Sequence, residues 1–135
     1  MGGRLDHVNI AAPDAGELAR RFTAALGMQV VKETVVPDQG VKVVMLDAGG
    51  THLEITEPLG ADTPVGRFLA KKGSGLHHIA IEVEDIEATL AKMKAEGIAL
   101  IDETPRIGAM GHRIAFVHPK SFGGVLVEIV EGTAD

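Results

Sequence analysis

Short runs of alternating apolar and polar residues recur along this chain, and helical periodicity interrupts them at two matching places. In residues 5–11, Val8 and Ile10 share one side of an extended segment. His7, Asn9 and Ala11 take the other side, because successive strand side chains point to opposite faces. Asp14 then stands as a helix N-cap, Leu18, Phe22, Ala25 and Leu26 recur at helical spacing, and Gly27 closes the helix. Residues 28–36 are rich in β-branched side chains and read as a strand, and Pro37-Asp38-Gln39-Gly40 turns the chain into a second strand at residues 41–46. Residues 51–56 follow as a third, with His52, Glu54 and Thr56 on one side and Leu53 and Ile55 on the other.

The same order then returns. Asp62-Thr63-Pro64 opens a short linker helix with Val65, Phe68 and Leu69 on one side, and Gly73-Ser74-Gly75 ends it. Residues 77–83 read as a strand, Asp85 caps a helix whose buried stripe is Ile86, Leu90 and Met93, and Glu96-Gly97 stops it. Residues 98–101, 114–117 and 125–130 supply three further strands. The expected fold is α+β, a single domain over residues 1–135 built as βαβββ, linker helix, βαβββ. Module 1 covers about residues 4–58, the linker helix about 62–73, and module 2 about 75–131.

The halves echo each other in residues as well as in period. His7 entering its strand stands against His78, 71 positions later, and Gly49-Gly50 with Glu54-Ile55 stands against Gly123-Gly124 with Glu128-Ile129, 74 positions later. One helix can cover only one face of four strands. Parity therefore leaves His7, Glu54, His78 and Glu128 on the uncovered face, and sends His77 to the side of Ile79 and Ile81. Two imidazoles and two carboxylates neutralise one divalent cation, and a mixed nitrogen and oxygen set suits Co(II), Mn(II), Ni(II) or Zn(II) better than Ca(II). A single histidine at a strand start is ordinarily structural. Four such residues in duplicated context, two of them carboxylates on strands of apolar sequence, call for a cation. His52, His112 and His118 have no duplicated counterpart and are assigned no role.

Composition narrows the classes. A length of 135 suits one domain, and the absence of Trp and Tyr leaves the core to Val, Ile, Leu, Met, Ala and four Phe. A net charge of −6 argues against a duplex nucleic-acid binder, though not against a local basic patch for a small anion. Without cysteine there are no disulfides or thiolate ligands. No stretch approaches the roughly 20 apolar residues of a membrane span, and the N-terminus lacks the apolar core of a signal peptide. A cytoplasmic address is the expectation.

Several stretches are more specific than the ligand set. They are Asp6-His7-Val8, Pro37-Asp38-Gln39-Gly40-Val41-Lys42-Val43, Glu57-Pro58-Leu59, Leu76-His77-His78-Ile79-Ala80, Pro105-Arg106-Ile107-Gly108-Ala109, His118-Pro119-Lys120-Ser121 and Gly123-Gly124-Val125-Leu126-Val127-Glu128. With them the chain, over roughly residues 5–131, resembles the vicinal oxygen chelate (glyoxalase) superfamily, and within it the methylmalonyl-CoA epimerase family.

The resemblance implies paired βαβββ modules in a cupped, incompletely closed eight-stranded mixed sheet around a metal. It places the metal ligands on His7, Glu54, His78 and Glu128, with one divalent ion per subunit, Co(II) favoured, and substrate contacts on Gln39, Lys120 and Ser121. It further implies a homodimer and, as activity, interconversion of the 2R and 2S epimers of methylmalonyl-CoA in propionate metabolism. Coenzyme A is polyanionic, and Arg67, Lys71, Lys72, Arg106, Arg113 and Lys120 are candidates to meet it. A member of the family carries a catalytic acid where Val43 stands here, and valine cannot move a proton. Glu128 is therefore expected to be both ligand and base, its counterpart on the opposite face unassigned. The other readings are a metalloenzyme of the lactoylglutathione lyase or extradiol dioxygenase kind, and a drug-binding member without chemistry. The four ligand types and the His118-Pro119-Lys120-Ser121 segment disfavour the last.

Overall fold

The computed structural model of the protein describes residues 2–108 and 110–132. Ala109, the last residue of the Pro105-Arg106-Ile107-Gly108-Ala109 stretch, lies outside the described residues. The first half runs β1 (Arg4–Ala11), α1 (Ala15–Leu26), β2 (Val30–Val36), β3 (Val41–Asp47) and β4 (His52–Pro58). A helix α2 (Pro64–Lys72) follows, and the second half runs β5 (Gly75–Val83), α3 (Ile86–Ala95), β6 (Arg106–Ile107), β7 (Arg113–Val117) and β8 (Val127–Glu131). Single 3₁₀ turns occupy Pro37–Gln39 and Pro119–Ser121.

Within the first half the strand order is β2-β3-β4-β1, with β1 parallel to β4 and the other pairs antiparallel. Within the second it is β5-β8-β7-β6, the same order traced from the other end, again with its first and last strands parallel. The α+β class and the two βαβββ modules are present as the periodicity requires.

Helices α1 and α3 each begin with two side-chain caps, and the caps of one match those of the other. Asp14 Oδ1 accepts the Glu17 amide at 3.0 Å, and Asp85 Oδ1 accepts that of Ala88 at 3.0 Å. A cap of this kind stabilises by about 1 kcal/mol. Glu57, on the last strand of the first half, accepts the Ala15 amide at 2.8 Å, and Glu131 accepts the Ile86 amide at 3.1 Å. A carboxylate at a helix N-terminus meets both unsatisfied amides and the positive end of the dipole. Gly27 ends α1 at φ 70°, the left-handed conformation that glycine adopts without steric cost.

The helices are anchored by burial. Ala15 and Ala19 of α1 pack on Val44, Leu46 and Ile55, with Leu18, Phe22 and Leu53 against them. Ile86 and Leu90 of α3 pack on Ala115, Val117, Val127 and Ile129. Each large aliphatic side chain so buried stabilises by about 1.5–3 kcal/mol. On the opposite face of the second half sits a separate cluster of Ala80, Ile114 and Val130 with Phe116.

One strand differs from expectation. Residues 98–101 do not form one; Leu100 makes an isolated bridge to Val117, and the strand that pairs with β7 is Arg106–Ile107. The cause is Asp102. Its carboxylate accepts the Phe116 amide at 2.9 Å, while the Phe116 carbonyl accepts the amides of both Ile101 and Asp102. A side chain thus takes the hydrogen bond a strand would have made, and the ladder resumes only after Pro105.

By contact density the chain divides into two compact units, His7–His77, and Met1–Asp6 with His78–Asp135. Within the second unit Arg4 Nε donates to Glu82 Oε1 at 2.8 Å. Among the described residues no helix is long and apolar enough to cross a membrane.

The Glu131 cap has a measurable consequence. Arg113 holds it with two hydrogen bonds, at 3.0 and 3.1 Å, and with the Ile86 amide this keeps the Glu131 carboxyl below its ordinary pKa of 4.5. A depressed folded-state pKa contributes stability above the ordinary value and loses it as pH falls through the depressed one. Thermal denaturation should therefore show Glu131→Gln melting below wild type at neutral pH, with the gap closing under acid conditions. A gap independent of pH would show that the carboxylate charge contributes nothing.

Candidate functional site

Among the described residues, the buried polar side chains are His7, Asn9, Glu54, Thr56, His78 and Glu128. In the first half they come from β1 and β4, whose parallel register sets Asn9 opposite Glu54, His7 opposite His52 and Ala11 opposite Thr56. Strand alternation turns all four polar residues to the face that α1 leaves uncovered. His7 Nε2 lies 3.7 Å from Glu54 Oε1. Asn9 Nδ2 donates to that same Oε1 at 3.0 Å and to Thr56 Oγ1 at 2.7 Å. An ionised carboxylate only accepts, so the amide nitrogen, not its oxygen, must face Glu54. Asn9 Oδ1 is left buried with no hydrogen-bond partner.

The second half repeats the His–Glu pair in a different setting. β5 and β8 set Ala80 opposite Glu128, and His78 Nε2 lies 3.2 Å from Glu128 Oε1. The His78 ring meets Phe116 edge-on, with centroids 5.5 Å apart. His77 points elsewhere, its ring edge-on to Phe68 of α2 at 4.7 Å. The adjacent histidines therefore occupy opposite faces, as strand alternation requires.

His7, Glu54 and His78 are buried groups of metal-ligating chemistry, and Glu128 is buried to the same degree. Their chemistry fits a divalent ion. Carboxylates this far from solvent are costly unless a positive charge meets them. His7 Nε2 and Glu54 Oε1, 3.7 Å apart, and His78 Nε2 and Glu128 Oε1, 3.2 Å apart, are all atoms of ligand type.

The remaining candidates fall as follows. Gln39 is half-buried in the Pro37–Gln39 turn, and Lys120 is exposed in the Pro119–Ser121 turn. Ser121 Oγ accepts the Ala99 amide at 3.0 Å, which leaves its O–H to donate. Val43 is buried on β3 opposite Thr56, so no acid occupies its place. Arg113 is committed to Glu131, Arg67 to Asp62 at 2.9 Å, and Arg106 lies near Asp102 and over the Phe116 ring. Lys71 and Lys72, in the last turn of α2, are exposed. Asn9 and Thr56 gained no role from sequence reasoning. The signal was their parity, which they share with His7 and Glu54.

Comparison with known proteins agrees with this architecture. Residues 6–116 match the family model of the Glyoxalase/Bleomycin resistance protein/Dioxygenase superfamily. The chain is 44% identical to the mitochondrial methylmalonyl-CoA epimerase of Homo sapiens, over 94% of this chain and 73% of that one. It is 41% identical to the ethylmalonyl-CoA/methylmalonyl-CoA epimerase of Cereibacter sphaeroides, over 96% of this chain and 98% of that one. Streptomyces coelicolor methylmalonyl-CoA epimerase, solved as a variant in complex with 2-nitronate-propionyl-CoA, superposes with a TM-score of 0.89 at 39% identity. That match covers 97% of this chain and 95% of the other.

Proposed function

The chain belongs to the glyoxalase/bleomycin resistance protein/dioxygenase superfamily, in its methylmalonyl-CoA epimerase family, and on that premise we propose that it interconverts (2R)- and (2S)-methylmalonyl-CoA. The observation that carries the proposal is a buried His–Glu pair in each half of a chain 41% identical, over nearly its whole length, to an epimerase of that substrate class. His7, Glu54, His78 and Glu128 together hold one divalent ion per subunit, with Co(II) first among the candidates. The bound ion supplies Lewis acidity, stabilising negative charge that develops on the thioester oxygen.

This chain's own residues do the rest. The C2 proton is acidified by the carboxylate and thioester flanking it, and Glu128 removes it on one side. A group on the other side returns a proton to complete the inversion. Gln39, Lys120 and Ser121 contact the substrate, Lys120 as a point charge and Ser121 through the O–H that its bond from Ala99 leaves available. Lys71 and Lys72 are the exposed cations best able to meet the phosphates of coenzyme A, since Arg113 and Arg67 are paired within the fold.

Turnover in deuterated water tests the activity. Starting from either epimer, the other should appear carrying deuterium at C2, and return of unlabelled, unepimerised substrate would refute the assignment. The name of the Cereibacter relative carries two substrates, so ethylmalonyl-CoA is the second to assay.

The protein also forms a homodimer in this reading. Val30, Val31 and Val35 are exposed along β2, the outermost strand in the order of the first half, and an edge with apolar side chains favours self-association. Light scattering at micromolar concentration should give twice the chain mass; a monomer would count against the dimer.

A further inference from the structure

The two halves differ at the one place where each carboxylate is held. Opposite Glu54 stands Asn9, and opposite Glu128, in the matching register, stands Ala80. Asn9 and Ala80 are 71 positions apart, the spacing of the two histidines; Thr56 and Val130 are 74 apart, the spacing of the two glutamates. The duplication thus puts an amide and a hydroxyl beside one carboxylate, and a methyl and an isopropyl group beside the other.

We propose that Asn9 is a positioning residue that fixes the orientation of Glu54 as a metal ligand. The inference rests on the metal reading above and deepens it by naming the residue that orients one of the two carboxylates. Asn9 Nδ2 bridges Glu54 Oε1 and Thr56 Oγ1, so both the oxygen and the amide that grips it are locked in a buried trio. A hydrogen bond to an ionised acceptor is short and roughly twice as strong as a neutral one. At the matching place beside Glu128 the strand neighbours are Ala80 and Val130, which belong to an apolar cluster with Ile114 and Phe116.

The fold does not need an amide at residue 9. Alanine fills the corresponding site in the other half at full burial, and Asn9 carries a cost that alanine would not, the unpartnered Oδ1. A local rule broken at a buried position is the mark of a functional requirement. The requirement here is orientation of Glu54.

Titration of metal-stripped, full-length protein with Co(II) tests this, read by calorimetry and by the visible absorption of the bound ion. Asn9→Ala should weaken Co(II) binding by about 10- to 100-fold, the range for loss of a group that orients a metal ligand, and should alter the Co(II) bands. Thr56→Val, which keeps the side-chain shape and removes the hydroxyl, should act in the same direction but less, and decides the matter if the alanine variant does not fold. A merely structural role would lower the melting temperature and leave affinity and spectrum unchanged; that result in both variants overturns the proposal. If the wild-type protein binds no Co(II), the metal reading falls, and this inference with it.

Discussion

His78→Ala, stripped and resupplied with Co(II), should bind no metal and lose epimerisation by roughly 10²- to 10⁴-fold, the range that several kcal/mol of Lewis-acid stabilisation represents. His77→Ala should retain most of both. The two substitutions delete the same chemistry one residue apart, so composition and charge are controlled. What separates them is the face. His78 Nε2 lies 3.2 Å from Glu128 Oε1, whereas the His77 ring packs edge-on against Phe68 of α2. Loss of that ring contact costs about 0.5–1.5 kcal/mol beyond buried area, which lowers the melting temperature without touching the ligand set. Metal analysis and an epimerisation assay read both variants. Loss of metal in the His77 variant with retention in the His78 variant would reverse the assignment of faces.

Glu128→Gln should suppress exchange of the C2 proton with solvent deuterium by about 10²- to 10⁴-fold, the usual worth of a positioned general base. The comparison must be made at equal metal content, because in the proposed site the substitution also removes a ligand. A carboxylate bound to a cation is a poor base, since the cation stabilises its ionised form. Glu128 would therefore serve as base only when it is not held by the ion. Its strand is preceded by the Gly123-Gly124 turn, both residues at positive φ. With Val43 buried where an acid would stand, Glu128 is the buried acid on the uncovered face of the second half. A metal-loaded Glu128→Gln variant that exchanged the C2 proton at the wild-type rate would place the base on another residue.

Much of this molecule is legible without coordinates, and the reason is local geometry. A strand side chain alternates faces whatever it packs against, so the opposite orientations of His77 and His78 follow from their being adjacent. Helix ends are likewise written in a few residues, and Asp14, Asp85 and Gly27 act where their types and spacing put them. Duplication adds what no local signal carries, by marking which of six histidines belong together.

The tertiary structure decided the rest, wherever the choice of hydrogen-bond partner lay far along the chain. Residues 98–101 carry strand-like side chains, yet Asp102 captures the Phe116 amide and moves the edge strand to Arg106–Ile107. Glu57 and Glu131 cap helices 42 and 45 positions away. Arg113, a candidate for coenzyme A on charge alone, is committed to Glu131. The grip of Asn9 on Glu54 spans 45 positions and exists only because parallel β1 and β4 bring the two into register. Alternation and capping depend on the backbone of a few consecutive residues, which the sequence by itself determines; register between distant strands depends on the packing of whole elements, which only the folded chain resolves.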